Sequence, residues 1–150
     1  MGSNSDYSVM RECEIVLKKL SIKYDTLIIS AHRTPSRMFE FGNNAAKKYS
    51  VIIAGAGGSA HLPGMIASLT IVPVIGVPIE TKKLKGLDSL LSINQMPKGI
   101  PVATVAINGA ANAALLAASI ISNLDKKAKV NLERFRRSQT KSIKKRPKQK

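Results

Sequence analysis

Short runs of β-branched and other apolar residues alternate along this chain with stretches whose apolar positions recur every three or four residues, a pattern of strands alternating with helices. Val9, Cys13, Val16, Leu17 and Leu20 form one helical stripe, and Ser5 stands where an N-cap would start it. Residues 24–29 read as the first strand. Thr34 and Pro35 then supply a cap and a first helical position for a helix reaching about Lys48. Three more strands are expected at 51–54, 73–77 and 102–107, separated by a short helix over 62–70 and a loop and helix within 81–96. An alanine-rich helix over 110–124 and an amphipathic helix over 126–138 complete the pattern. Four parallel strands, each leading through a loop to a helix, predict an α/β sheet whose ligand lies beyond the carboxyl ends of the strands.

The chain of 150 residues is expected to form one core, an α/β domain over 1–124, with a helix and basic tail over 125–150. Residues 51–79 carry no acid, lysine or arginine, yet their glycines and prolines cut them into pieces too short to cross a bilayer. They fit strands and a helix buried on both sides, and no membrane partner is expected. Residues 1–6 have neither a basic start nor an apolar run, so no secretory leader is read there. Cys13 stands alone, which excludes a disulfide framework and suits a reducing cytoplasm; among Glu12, Glu14 and apolar neighbours it reads as packed rather than reactive. The net charge of +15 is uneven: residues 125–150 hold twelve Lys/Arg against Asp125 and Glu133. Without stacking aromatics or zinc-finger spacing, that surplus reads as a solvated helix and tail rather than a nucleic-acid surface.

The candidate chemistry lies in three loops. His32 and Arg33, in Ser30-Ala31-His32-Arg33-Thr34-Pro35, pair a proton carrier near neutrality with a fork suited to phosphate or carboxylate, although His32 could equally serve a capping cluster. Gly55-Ala56-Gly57-Gly58-Ser59-Ala60 permits close approach of backbone to a ligand but matches neither the dinucleotide fingerprint nor a P-loop. His61 follows it, as a ligand contact or a brace for the loop. Ser3, Ser5 and Asp6 gather at a helix start, where hydroxyls and N–H groups suit phosphate and Asp6 suits ribose hydroxyls; plain capping would look the same. Two distant histidines and one cysteine give no metal-ligand spacing.

Taken together, residues 1–6, 30–35 and 55–65, with Asp88-Ser89-Leu90-Leu91-Ser92-Ile93-Asn94-Gln95-Met96-Pro97, residues 101–107 and residues 112–118, resemble the PurE family of de novo purine synthesis, in the family's order and over residues 1 to about 140. The resemblance implies a three-layer flavodoxin-like subunit with helices on both faces of the sheet and a homo-octamer with active sites between subunits. It implies an isomerase, a mutase of IMP biosynthesis that interconverts N5-carboxyaminoimidazole ribonucleotide and 4-carboxy-5-aminoimidazole ribonucleotide without a metal or organic cofactor. His32 matches the family's catalytic acid/base. Ser3 and Arg33 are assigned to phosphate and Asp6 to ribose; Ser30, Gly57 and His61 complete the substrate-binding set.

The resemblance also implies a strand before the Gly2–Asp6 loop, so the first strand is apparently missing from the residues at hand. Turns at 47–50 and 107–112 are compact, and Ser59 stands where the family has alanine. Beside the mutase, two other readings are a carboxylase using CO2 directly on aminoimidazole ribonucleotide, and an inactive truncated homologue surviving as a subunit or a basic nucleic-acid-binding protein. The joint presence of His32, Arg33, Ser3, Asp6 and His61 favours the mutase.

Overall fold

The structure, a computed structural model, describes residues 1–147; the last three residues of the predicted basic tail lie outside it. Its sheet has three parallel strands, β1 (Ile52–Gly57), β2 (Val74–Ile79) and β3 (Ala103–Thr104), in the order β1-β2-β3. β1 and β2 pair along their whole length, from Ile52↔Val74 to Gly57↔Ile79. β3 touches β2 only at Ile75↔Ala103 and Gly76↔Thr104.

Six helices surround the sheet among the described residues: α1 (Tyr7–Lys19), α2 (Pro35–Asn44), α3 (Leu62–Ala67), α4 (Leu87–Asn94), α5 (Ala110–Ile121) and α6 (Lys126–Ser142). The period-two alternation of the strands sorts them into layers. Ile75, Val77 and Ile79 of β2 point at α1 and α5, where they meet Met10, Cys13, Leu17, Ala113 and Ala117. Ile52, Ala54, Ala56 and Val74 point to the opposite face, against Met38, Leu62, Ile66 and Ile93 of α2, α3 and α4. All six residues of β2 are buried, and sequestering a side chain such as Ile75 contributes roughly 1.5–3 kcal/mol. The three-layer α/β arrangement expected from the sequence is therefore present.

Small residues set how close the layers come. At Gly55 a Cβ would collide with the Met10 side chain, so this glycine leaves room for that α1 side chain over β1. α6 opens on Asp125, whose Oδ1 accepts from the N–H of Lys127 (2.7 Å) and of Ala128 (3.0 Å). Its buried residues are Ala128 and Leu132, and Leu132 packs with Leu20 and Ala118. Asn131 Nδ2 donates to the carbonyl of Leu20, an orphan acceptor at the end of α1.

Four expectations need correction. Residues 24–29 run extended but form no strand of the sheet. A strand is defined by its partner, and this segment finds only Met1: the Met1 nitrogen donates to Leu27 O (3.0 Å) and Ile29 N–H donates to Met1 O (2.8 Å). The 102–107 strand shrinks to two residues because Pro101 has no N–H and the chain turns away after Val105. α2 ends at Asn44 and passes into a 3₁₀ turn at Ala45–Lys47. Finally, Ser3 rather than Ser5 caps the first helical turn. Ser3 Oγ accepts from Ser5 N–H, and the Asp6 carboxylate accepts from Ser3 N–H in a capping box that opens the 3₁₀ turn Asn4–Asp6 ahead of α1.

Candidate functional site

Three loops converge at the carboxyl edge of the sheet: Gly2–Asp6 before α1, Ser30–Thr34 before α2, and Gly57–His61 between β1 and α3. They enclose a cavity of about 440 Å³, within the range that holds a small-molecule ligand. Ser3, Asp6, Ser30, His32, Arg33, Gly57 and His61, every site residue singled out from the sequence, line it.

The first loop is organised around Asp6, which is buried. Its carboxylate accepts from Ser3 N–H (3.0 Å) and from the Ser5 hydroxyl (3.4 Å). These bonds hold Asp6 as an acceptor at the cavity wall and leave lone pairs for a hydroxyl-bearing ligand.

The second loop is a knot of side-chain to backbone bonds. Thr34 Oγ1 donates to Ser30 O (3.0 Å) and accepts from Ser30 N–H (2.9 Å), so Thr34 closes the loop instead of capping α2. Ser30 Oγ accepts from the N–H of Arg33 (3.2 Å) and from its Nε (3.3 Å). The Arg33 guanidinium also donates to Gly2 O (3.2 Å), which ties the second loop to the first. Three of its five N–H donors have no such bond and are available to an anion.

The third loop brings the histidines together. Gly58 has φ +65, and a Cβ there would meet no neighbour, so the glycine answers a backbone demand rather than a steric one. The turn carries His61 to His32, with His32 Nε2 and His61 Nδ1 2.7 Å apart. The rings meet edge to face at a centroid distance of 4.9 Å. One nitrogen must donate and the other accept, so a single proton sits between the rings. Both are exposed in the single chain. The pair can exchange a proton with a group in the cavity and pass it outward.

Sequence reasoning missed the fourth wall. Ile79, Glu80 and Thr81, at the end of β2, also line the cavity. Asn108 Oδ1 accepts from Glu80 N–H (2.9 Å) while its Nδ2 donates to Glu80 Oε2 (3.0 Å), and Thr81 Oγ1 donates to the Asp88 carboxylate. The signal that could have found them is topological, since β2 must discharge its chain at the same edge as β1.

Burial shapes two groups near the sheet. The Cys13 thiol is pushed up to about 12, first by burial and then by the neighbouring Glu14, which makes it inert as a nucleophile. The Met1 ammonium is held below its ordinary value by burial, against the opposing pull of Asp6. Among the described residues no group of three or more His, Cys, Asp or Glu is placed to hold a metal ion, and no helix is long and apolar enough to cross a membrane.

The family model described as AIR carboxylase matches residues 1–142. The chain is 55% identical over 146 residues to the N5-carboxyaminoimidazole ribonucleotide mutase of Haemophilus influenzae, covering 95% of this chain and 89% of that protein. It is 56% identical over 142 residues to the mutase of Thermotoga maritima, covering 91% and 83%. The crystal structure of Treponema denticola PurE superposes with a TM-score of 0.85 at 29% identity, over 95% of this chain and 90% of that one.

Proposed function

The chain belongs to the AIR carboxylase family, and from that premise we propose that it is an N5-carboxyaminoimidazole ribonucleotide mutase, an isomerase of purine biosynthesis that moves a carboxylate from nitrogen to C4 of the imidazole. The observation that carries the reading is the convergence of the histidine pair, the Arg33 fork and buried Asp6 in one cavity. An acid/base, an anion clamp and a hydroxyl acceptor are what a carboxylated ribonucleotide requires.

Arg33, with Ser3 and Ser30, holds the phosphate, and Asp6 accepts from the ribose. His32 donates a proton to the carbamate nitrogen, the C–N bond breaks, and CO2 departs from the amine. The electron-rich C4 attacks that CO2, and His32 takes back the proton displaced from C4, so the imidazole ends as it began. His61, hydrogen-bonded to His32, sets its tautomer and orientation. Gly57 leaves room beside the ring for CO2, and recapture of a held CO2 is effectively intramolecular.

Retaining CO2 requires a cover, and His32 and Arg33 are exposed in the single chain. Exposed Leu84, Leu87, Leu91 and Leu116 offer apolar surface for further copies. These features support sites covered by further copies, and the reading takes the assembly as a homo-octamer built from the 1–124 body with 125–150 appended, working in the cytoplasm. The test is conversion of substrate carrying a ¹³C-labelled carbamate, without ATP, in unlabelled bicarbonate. The mutase delivers labelled product. Product that forms only from aminoimidazole ribonucleotide and bicarbonate would assign a carboxylase instead, and no product would refute the reading.

A further inference from the structure

The fourth wall of the cavity is a clamp on one carboxylate. The chain leaves β2 at Ile79, whose carbonyl accepts from the wholly buried Ser89 hydroxyl (2.6 Å). Asn108 then grips the next residue at two points, taking Glu80 N–H on its Oδ1 and donating from its Nδ2 to Glu80 Oε2. Asn108 is itself fixed, because its N–H donates to Pro78 O (2.8 Å). Its φ of +56 lies in the left-handed region, which asparagine tolerates better than most residues. Both the backbone and the carboxylate of Glu80 are thus held at the cavity.

Only half of that carboxylate is occupied. Asn108 takes Oε2, and Oε1 has no hydrogen-bond partner among the described residues. Lys82, Lys83 and Lys85 follow closely in sequence, yet among the described residues none pairs with Glu80. The nearby Asp88 differs, since it receives the Thr81 hydroxyl on both oxygens. Glu80 is therefore the anionic acceptor that this wall leaves open to a ligand. It belongs to the base side of the cavity. Ile79 O lies 3.5 Å and Thr81 Cγ2 3.7 Å from where a Gly57 Cβ would stand, and Gly57 flanks the imidazole in the mutase reading.

We propose that Glu80 Oε1 accepts a hydrogen bond from the exocyclic amine on C5 of the imidazole, with Asn108 as the positioning residue behind it. The proposal rests on the mutase reading and adds to it the group that selects an amine-bearing base. In the carbamate this nitrogen carries one hydrogen. His32 gives it a second, and when the C–N bond breaks its electron pair stays on nitrogen, leaving a neutral amine and CO2. The nitrogen is positive only between protonation and cleavage, so an anionic acceptor stabilises that species more than the substrate before it. No proton passes to Glu80.

Glu80→Gln tests the charge while sparing the clamp. Its amide oxygen can still accept from Asn108 Nδ2, and its NH2 then meets the substrate amine as donor against donor. Binding is measured by calorimetry with two probes, aminoimidazole ribonucleotide and imidazole ribonucleotide, which lacks the amine. The unaltered protein should bind the amine-bearing probe about tenfold to hundredfold more tightly, the range of a hydrogen bond to a charged group. Glu80→Gln should erase that preference with imidazole ribonucleotide affinity and urea midpoint unchanged, and lower kcat by about tenfold or more. Asn108→Gly, which keeps the left-handed backbone and removes the clamp, should shrink the effect of Glu80→Gln. An unchanged preference in Glu80→Gln, or equal loss of both probes, would overturn the proposal, and conversion of the ¹³C-labelled carbamate by the unaltered protein would then leave the mutase reading standing. Neither conversion nor binding of either probe by the unaltered protein would refute both.

Discussion

The loops carrying His32 and His61 end in the same hydrogen bond, but the segments that deliver them are built differently. β1, which delivers His61, is paired along all six residues with a buried neighbour and has a helix packed on each face. The 24–29 segment, which delivers His32, is half exposed at Tyr24, Leu27 and Ile28; its backbone pairs with one residue, Met1, and side chains such as Arg37, which donates to Ile28 O (3.1 Å), hold the rest. What it lacks in sheet pairing it regains locally, through Thr34, Ser30 and Arg33. A catalytic loop can thus be positioned from behind by a sheet or from within by its own side chains, and the two kinds of support should fail under different perturbations.

The largest effect is expected at the shared bond itself. His32→Asn should lower turnover by about 10²–10⁴-fold with nucleotide affinity little changed, the range for a removed general acid/base, as read by steady-state kinetics and direct binding. His61→Asn should cost less and displace the pH profile of kcat, because it orients the proton carrier without touching the transferred carboxylate. Equal losses at both positions would erase the distinction between them.

Support by the sheet is probed next. Ile75→Ala should destabilise by about 2–5 kcal/mol in urea unfolding, since β2 is enclosed on every side. Leu27→Ala, in the half-exposed segment, should cost well under that. Thr34→Val removes both bonds to Ser30 and should cost about 1–2 kcal/mol while raising KM more than it lowers kcat.

The smallest effect concerns Met1. Its ammonium has a lowered pKa in the folded chain, so the unfolded chain holds this proton more tightly. Stability should therefore rise as pH climbs from that lowered value toward 8.0, and fall as pH drops through the same window. Acetylating the Met1 nitrogen should remove this step from a pH series of urea midpoints.

What could be read from the sequence follows the same division. The β1 and β2 runs announced themselves because burial on both faces demands unbroken apolar stretches. Convergence of the His32 and His61 loops was expected because parallel strands release their loops at one edge, although only the His61 loop follows a strand of the sheet. Ser3 and Asp6 were tied to the same ligand through the family resemblance. Residues 24–29 have strand-like composition, but pairing depends on a partner that local composition does not encode. Glu80 and Thr81 carry no glycine run or motif, and only the three-dimensional path of β2 brings them to the cavity. The choice between Ser3 and Ser5 as cap turned on which one has an acid three residues on, and that is Ser3 with Asp6.

The bond from Asn131 to the carbonyl of Leu20 spans 111 positions, and it gives the order of synthesis a role. At about 5–20 residues per second, a ribosome takes roughly 6–22 s to cover that distance. Throughout that interval Leu20 has neither its hydrogen-bond partner nor the apolar cover of Leu132. The end of the first helix is therefore completed only by a segment made more than a hundred residues after it, so this seam closes late whatever forms before it.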